Sequence, residues 1–89
     1  MVIKESTLNR SIDNVENLLE TFFLEYKSKS KNWVGMESLL TTQYIMRLDA
    51  VLQSKAYTSL NQLEPKDKLT VSNRIKDFLA LAKDEYDKN

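Results

Sequence analysis

Residues 8–26 read LNRSIDNVENLLETFFLEY, and the apolar side chains of this stretch recur at intervals of four and three residues. Such alternation keeps apolar side chains on one side of an α-helix and is typical of the a/d seam of a heptad repeat. The pattern predicts a helix over residues 6–28, with Ser6 or Thr7 as its N-cap. The seam consists of Leu8, Ile12, Val15, Leu19, Phe22 and Tyr26.

Two further segments show helical spacing, and the only glycine and the only proline of the chain mark where they begin. The second helix is predicted over residues 35–58, from Gly35 onward, with Ser30 or Asn32 as its cap and a broad apolar face for two neighbours. The third is predicted over residues 65–86. It starts at Pro65 because the missing N–H of proline costs nothing in the first turn of a helix.

These segments predict an all-α fold. A chain of 89 residues has room for one domain, so residues 1–89 are expected to form a single helical domain. The period-two alternation of strands is absent from all three segments. We therefore expect a small antiparallel three-helix bundle, with a two-helix hairpin as the competing arrangement.

The composition excludes several kinds of function. Cysteine and histidine are absent, so the usual thiol nucleophile, general base and zinc ligands are missing. We therefore expect no enzymatic activity, no metal and no cofactor. No apolar run approaches the ~20 residues of a membrane span, and the first residues lack the apolar core of a signal peptide. A cytoplasmic protein without a membrane partner is the expectation.

Charge argues against nucleic acid as the main partner. Thirteen basic and thirteen acidic side chains cancel, whereas a phosphate backbone calls for a basic surface. Lys27, Lys29 and Lys31 do form a local basic patch beside Trp33, which could contact single-stranded nucleic acid. However, residues 11–26 carry four acids and no base, and this negative field opposes such binding.

The triplet Trp33-Val34-Gly35 has two interpretations. Trp33 can cap one end of the core while Gly35 eases the turn into the second helix, or Trp33 can be an exposed anchor for a partner. Trp33 and Gly35 also resemble the signature of the small secreted W-x-G helical-hairpin proteins, which carry W-x-G in the turn between two helices. That resemblance implies a secreted helical hairpin.

The second half of the chain resembles another family in three short stretches. BAG domains are three-helix bundles that bind the nucleotide-binding domain of heat-shock-70 chaperones, and their last two helices are similar to this part of the chain. The resemblance implies a chaperone cofactor in which Asp49 provides an acidic contact. The stretches are Leu39-Leu40, Arg47-Leu48-Asp49-Ala50-Val51 and Ile75-Lys76-Asp77-Phe78-Leu79.

Several large apolar side chains fall off the principal stripes, and surplus apolar surface often marks an interface. We therefore predict a non-catalytic protein–protein interaction module: an adaptor, regulator or inhibitor with a protein partner of unknown identity. An alternative is a structural homo-oligomer, expected as a homodimer, that pairs the heptad seam of the first helix with a second copy. The predicted partner-binding residues are Phe23, Leu24, Trp33, Met46 and Tyr57.

Overall fold

The computed structural model describes residues 3–88. Helix α1 spans Glu5–Tyr26, α2 spans Trp33–Ala56 and α3 spans Pro65–Asp87, with a short 3-10 turn at Leu60–Gln62 between the last two. No residue between 3 and 88 belongs to a strand. The predicted all-α three-helix bundle is confirmed, and each predicted helix end lies within two residues of the observed one.

The three helices run up, down and up along a body of 43 × 21 × 18 Å. Helices α1 and α3 are parallel, because Arg74 meets Asp13 near the middle of both and Glu85 meets Lys27 near their C-terminal ends. Helix α2 runs against them and packs on both. Helices α1 and α3 contact each other least, which leaves an open furrow between them.

Asn32 caps α2, as one of the two predicted alternatives. Its side-chain oxygen accepts a hydrogen bond of 2.7 Å from the backbone N–H of Gly35, which would otherwise lack a partner. Gly35 lies inside the first turn of α2 rather than in the connection before it. A Cβ atom at this position would lie 3.2 Å from that same oxygen of Asn32, so glycine leaves space for the cap.

The predicted cap of α1 is wrong. Lys4 occupies the N-cap position and its side chain makes no capping hydrogen bond, while Ser6 lies within the helix and Thr7 offers its carbonyl to Ser11. The first turn carries Glu5 instead, whose negative charge suits the positive end of the helix dipole. Pro65 opens α3 as predicted, and Asp67 also lies in its first turn.

The segment between α2 and α3 is ordered by polar side chains. Tyr57 caps the C-terminal end of α2 with a left-handed backbone of φ 54°, and the N–H of Thr58 bonds to the carbonyl of Leu52 at 3.3 Å. Ser59 and Gln62 then form a capping box around the 3-10 turn. Asp49 accepts a hydrogen bond of 3.0 Å from the N–H of Leu60, which ties this turn back to α2.

The core has two parts that share Phe78. The larger lies toward the α2–α3 connection and is built on side chains with no exposed surface, such as Ile12, Leu19 and Leu48. The smaller lies toward the α1–α2 connection and contains Phe23, Met36, Leu40 and Ala82, with Trp33 and Tyr86 packed against it.

The predicted seam of α1 is correct through Leu19 and wrong beyond it. The buried apolar positions are Leu8, Ile12, Val15, Leu19 and Phe23, whereas Phe22 is only partly buried and Tyr26 is exposed. A straight α-helix turns once in 3.6 residues, so a strict heptad drifts around it by about 20° in each repeat. After two heptads the drift of about 40° leaves Phe22 and Phe23 on either side of the seam, and Phe23 is the one that is buried.

None of the helices described between residues 3 and 88 combines the length and the apolar character that a membrane crossing needs.

Candidate protein-binding groove

The furrow between α1 and α3 is a groove of about 480 Å³. Leu24 on α1 and Leu81 on α3 form its apolar walls, and the two leucines are 51% and 71% exposed. The apolar lining of the groove is completed by Phe23, Phe78 and Ala82, and its polar lining by Glu16, Asn17, Glu20 and Glu85. The groove therefore combines exposed apolar surface with a carboxylate rim.

The rim carboxylates differ in how well they are neutralised. Glu85 lies 3.0 Å from the ammonium group of Lys27 and 3.8 Å from that of Lys88. The hydrogen bond from Lys27 and its positive charge lower the pKa of Glu85. Glu20 has no ion-pair partner within 4 Å among residues 3–88, so its charge is available to a ligand.

Glu16 belongs to a network that joins all three helices. Arg74 of α3 donates to Glu16 at 3.1 Å and to Asp13 at 2.7 Å, and the hydroxyl of Tyr44 of α2 donates to Glu16 at 2.6 Å. The ring of Tyr44 meets Phe78 edge-on, with ring centres 5.6 Å apart. These contacts fix one edge of the groove and the position of Phe78 in its lining.

The network does not provide a nucleophile. Burial, and then the hydrogen bond to Glu16, raise the pKa of Tyr44, so its hydroxyl keeps its proton at neutral pH. Hydrogen bonds to Glu16 and Asp13 raise the pKa of Arg74, which stays charged. Among residues 3–88, no three acidic side chains come close enough together to hold a metal ion.

The five predicted partner-binding residues do not form one site. Phe23 and Leu24 both line the groove, but Phe23 is only 4% exposed, so the expectation that it projects from the core is wrong. Met46 and Tyr57 are exposed as expected, yet neither lines this groove. Their contact with a partner stays a prediction.

Trp33 lies at the end of the bundle and is partly buried, which fits a side chain that caps the core. Its ring centre is 5.6 Å from that of Tyr86, and Lys83 lies 5.9 Å from the centre of the indole. The hydroxyl of Tyr86 donates to the carbonyl of Ser30 at 3.2 Å, so the end of α3 closes over the α1–α2 connection.

The structure also weakens the grounds for the other interpretations. Lys27 is paired with Glu85, and Lys29 lies 5.1 Å from the ring centre of Tyr26, so two of the three lysines in the predicted basic patch already make contacts within the chain. Asp49 bonds to the chain itself, at Leu60 and Gln53, instead of pointing freely to a partner. The third helix, begun by Pro65, is not expected of a W-x-G hairpin.

Most of the predicted dimer seam of α1 is buried within the bundle. Its first four members, Leu8, Ile12, Val15 and Leu19, are buried within the bundle, so they cannot also bind a second copy. The homodimer stays a prediction, and in this bundle it would have to use side chains of α1 other than these four.

A second groove, between α2 and α3, is shallower and differs in charge. Ile45, Leu60, Val71 and Ile75 provide its apolar lining, while Lys68 and Lys76 are its charged residues. It is the more open of the two, so it would enclose less of a ligand.

Sequence reasoning missed Glu20 as part of a site, and it left Leu81, an apolar side chain off the stripe of α3, out of the predicted partner-binding residues. The available signal was the run of four acids without a base in residues 11–26, together with an apolar side chain off the stripe of α3. What the sequence did not show is that α1 and α3 bring these features to one groove. Comparison of the chain with known protein families, with curated proteins and with solved structures finds no match.

Proposed function

We propose that the protein is a non-catalytic interaction module that binds another protein through the groove between α1 and α3. The observation that carries the proposal is the groove itself, which is lined by exposed leucines from both helices, Leu24 of α1 and Leu81 of α3. The hydration of exposed apolar side chains is unfavourable, and burial against a partner relieves it. Exposed apolar side chains that lie together therefore mark interaction surfaces.

The composition of the chain supports a binding role over catalysis. Histidine and cysteine are absent, and the one tyrosine hydroxyl in the central network is held protonated by Glu16 and by burial. Absence of cysteine also suits a reducing compartment, and on that ground we propose a cytoplasmic location.

Site-specific photo-crosslinking tests this proposal. A photoreactive amino acid is placed at Leu81 in one protein and at Leu69 in another, and both are irradiated in an extract of the cells that express the chain. Both leucines are exposed on α3, but only Leu81 lines the groove. We expect a discrete crosslinked protein from position 81 and none from position 69.

The same comparison on α1 is an independent check. Leu24 lines the groove, and Leu18 is similarly exposed but does not line it. Equal crosslinking at groove and control positions, or none at either groove position, would contradict the proposed function.

A further inference from the structure

We propose that the ligand of the groove is an amphipathic helix of the partner protein whose apolar stripe is flanked by lysine or arginine. This inference rests on the proposed function and specifies the chemistry of the partner. Shape, length and charge each support it.

The shape of the groove is that of a vacant helix position. Helices α1 and α3 are parallel and touch each other little, while α2 packs against both from one side. A four-helix bundle places each helix against two neighbours. A helix laid between α1 and α3 would complete such an arrangement and would cover the partly exposed Phe78.

The length of the groove suits about two turns of a helix. Its lining runs from Glu16 to Leu24 on α1 and from Phe78 to Glu85 on α3. At 1.5 Å per residue the α1 wall is about 12 Å long. Apolar side chains at positions i, i+3 or i+4, and i+7 of a bound helix would span this distance and lie beside Leu24 and Leu81.

The acidic side chains of the groove favour a ligand helix with basic residues beside its apolar stripe. The part of α1 that borders the groove carries acids and no base, and Glu20 on the rim has no partner among the described residues. A lysine or arginine on the ligand would reach Glu20 at an exposed rim, where opposite charges mainly improve specificity and the rate of association. An acidic helix would instead be repelled by Glu20, whereas Arg74 and Lys27 neutralise the Glu16 and Glu85 carboxylates beside it.

A second copy of this chain does not fit the groove as well. Each of its three helices already directs its main apolar side chains into its own bundle. An amphipathic helix of another protein, whose apolar side chains are not already packed in a core, can place them in the groove.

The test uses fluorescence anisotropy with the full chain and three labelled 18-residue peptides. The first is a helical peptide with leucines at intervals of three and four residues and lysines on both flanks. The second has glutamate in place of every lysine, and the third has alanine in place of every leucine. We expect the lysine–leucine peptide to bind at least about tenfold more tightly than either of the others.

Matched variants locate the binding. Leu81→Lys and Glu20→Lys should each weaken binding of the lysine–leucine peptide about tenfold. Leu69→Lys on α3 and Glu25→Lys on α1 introduce the same charges outside the groove and should change affinity by less than about twofold. All four positions are exposed, so circular dichroism should show unchanged helix content.

Equal affinity for the lysine and glutamate peptides would overturn the inference. So would equal weakening by Leu81→Lys and Leu69→Lys, which would indicate adhesion to the surface in general. Either result combined with groove-specific photo-crosslinking would reject the basic helix and leave the proposed function in place. Failure of both experiments would reject both.

Discussion

Tyr57 has the only left-handed backbone among the residues described other than glycine, with φ of 54°. A side chain with a Cβ atom pays about 1–2 kcal/mol for this conformation, and glycine is the usual residue at such a helix end. The ring is 82% exposed, so burial does not offset the cost. Strained backbone conformations cluster at functional sites, and the exposed ring is free to contact a partner. Tyr57 therefore stays among the predicted partner-binding residues.

Tyr57→Gly should stabilise the isolated protein by about 1 kcal/mol, because glycine adopts positive φ without the Cβ clash. For a domain of this size that gain raises the melting temperature by about 4–8 °C. Tyr57→Ala, which keeps the Cβ atom, should show no comparable gain. Lower stability of Tyr57→Gly in thermal denaturation would mean that the ring packs on the protein in solution.

Glu16 and Asp13 both bind Arg74, but only Glu16 also accepts from the buried Tyr44. Glu16→Ala leaves a buried hydroxyl without a partner and should lower the free energy of unfolding by about 1–3 kcal/mol. Asp13→Ala removes an exposed ion pair and should cost less than about 1 kcal/mol. Urea denaturation of the two variants gives the comparison.

A double variant separates the two roles of Glu16. Adding Tyr44→Phe removes the orphaned hydroxyl, so Glu16→Ala with Tyr44→Phe should be more stable than the sum of the single effects implies. Strict additivity would show that Tyr44 finds another partner, for example water, when Glu16 is removed.

At the scale of elements, local sequence determines where the helices begin and end, because the responsible residues act on their own backbone. Pro65 opens α3 as predicted and Asn32, one of two predicted candidates, caps α2, whereas neither predicted cap of α1 is used. The seam of α1 was predictable only as far as Leu19, since small phase errors accumulate along a helix and adjacent phenylalanines cannot be told apart by spacing. The groove was not predictable, because no single helix contains it.

Alanine substitutions of Phe23 and Phe22 test which of the two side chains lies on the buried face of α1. Phe23→Ala should cost about 3–5 kcal/mol because it empties a buried site in the smaller core. Phe22→Ala should cost clearly less, since the Phe22 ring is partly exposed and lies at the edge of this core, with its centre 4.6 Å from that of Tyr26. Urea denaturation that ranks the two variants in the opposite order would restore the strict heptad seam.

At the scale of the whole molecule, the three helices are joined along their length by different kinds of contact. Apolar packing dominates toward the α2–α3 connection, the Tyr44–Glu16–Arg74 network lies at the middle, and Trp33 with Tyr86 closes the other end. The middle is the only one of these where all three helices meet through hydrogen bonds among residues 3–88. Its integrity should therefore control the cooperative unfolding of the bundle.

Measurements at alkaline pH test whether the Tyr44–Glu16–Arg74 network controls unfolding. Tyrosine ordinarily has a pKa of about 10, and burial together with the bond to Glu16 raises the pKa of Tyr44 in the folded chain. Above pH 10 the unfolded chain therefore loses this proton while the folded chain keeps it, which favours unfolding. The contribution of Tyr44 is fully present below pH 10 and is lost as the pH rises further.

Stability of the intact protein should fall more steeply between pH 10 and 11 than that of Tyr44→Phe, by at most about 1.4 kcal/mol per pH unit. Urea denaturation at pH 8, 10 and 11 measures both slopes, and identical slopes would mean that the Tyr44 hydroxyl ionises as freely in the folded protein as in the unfolded one.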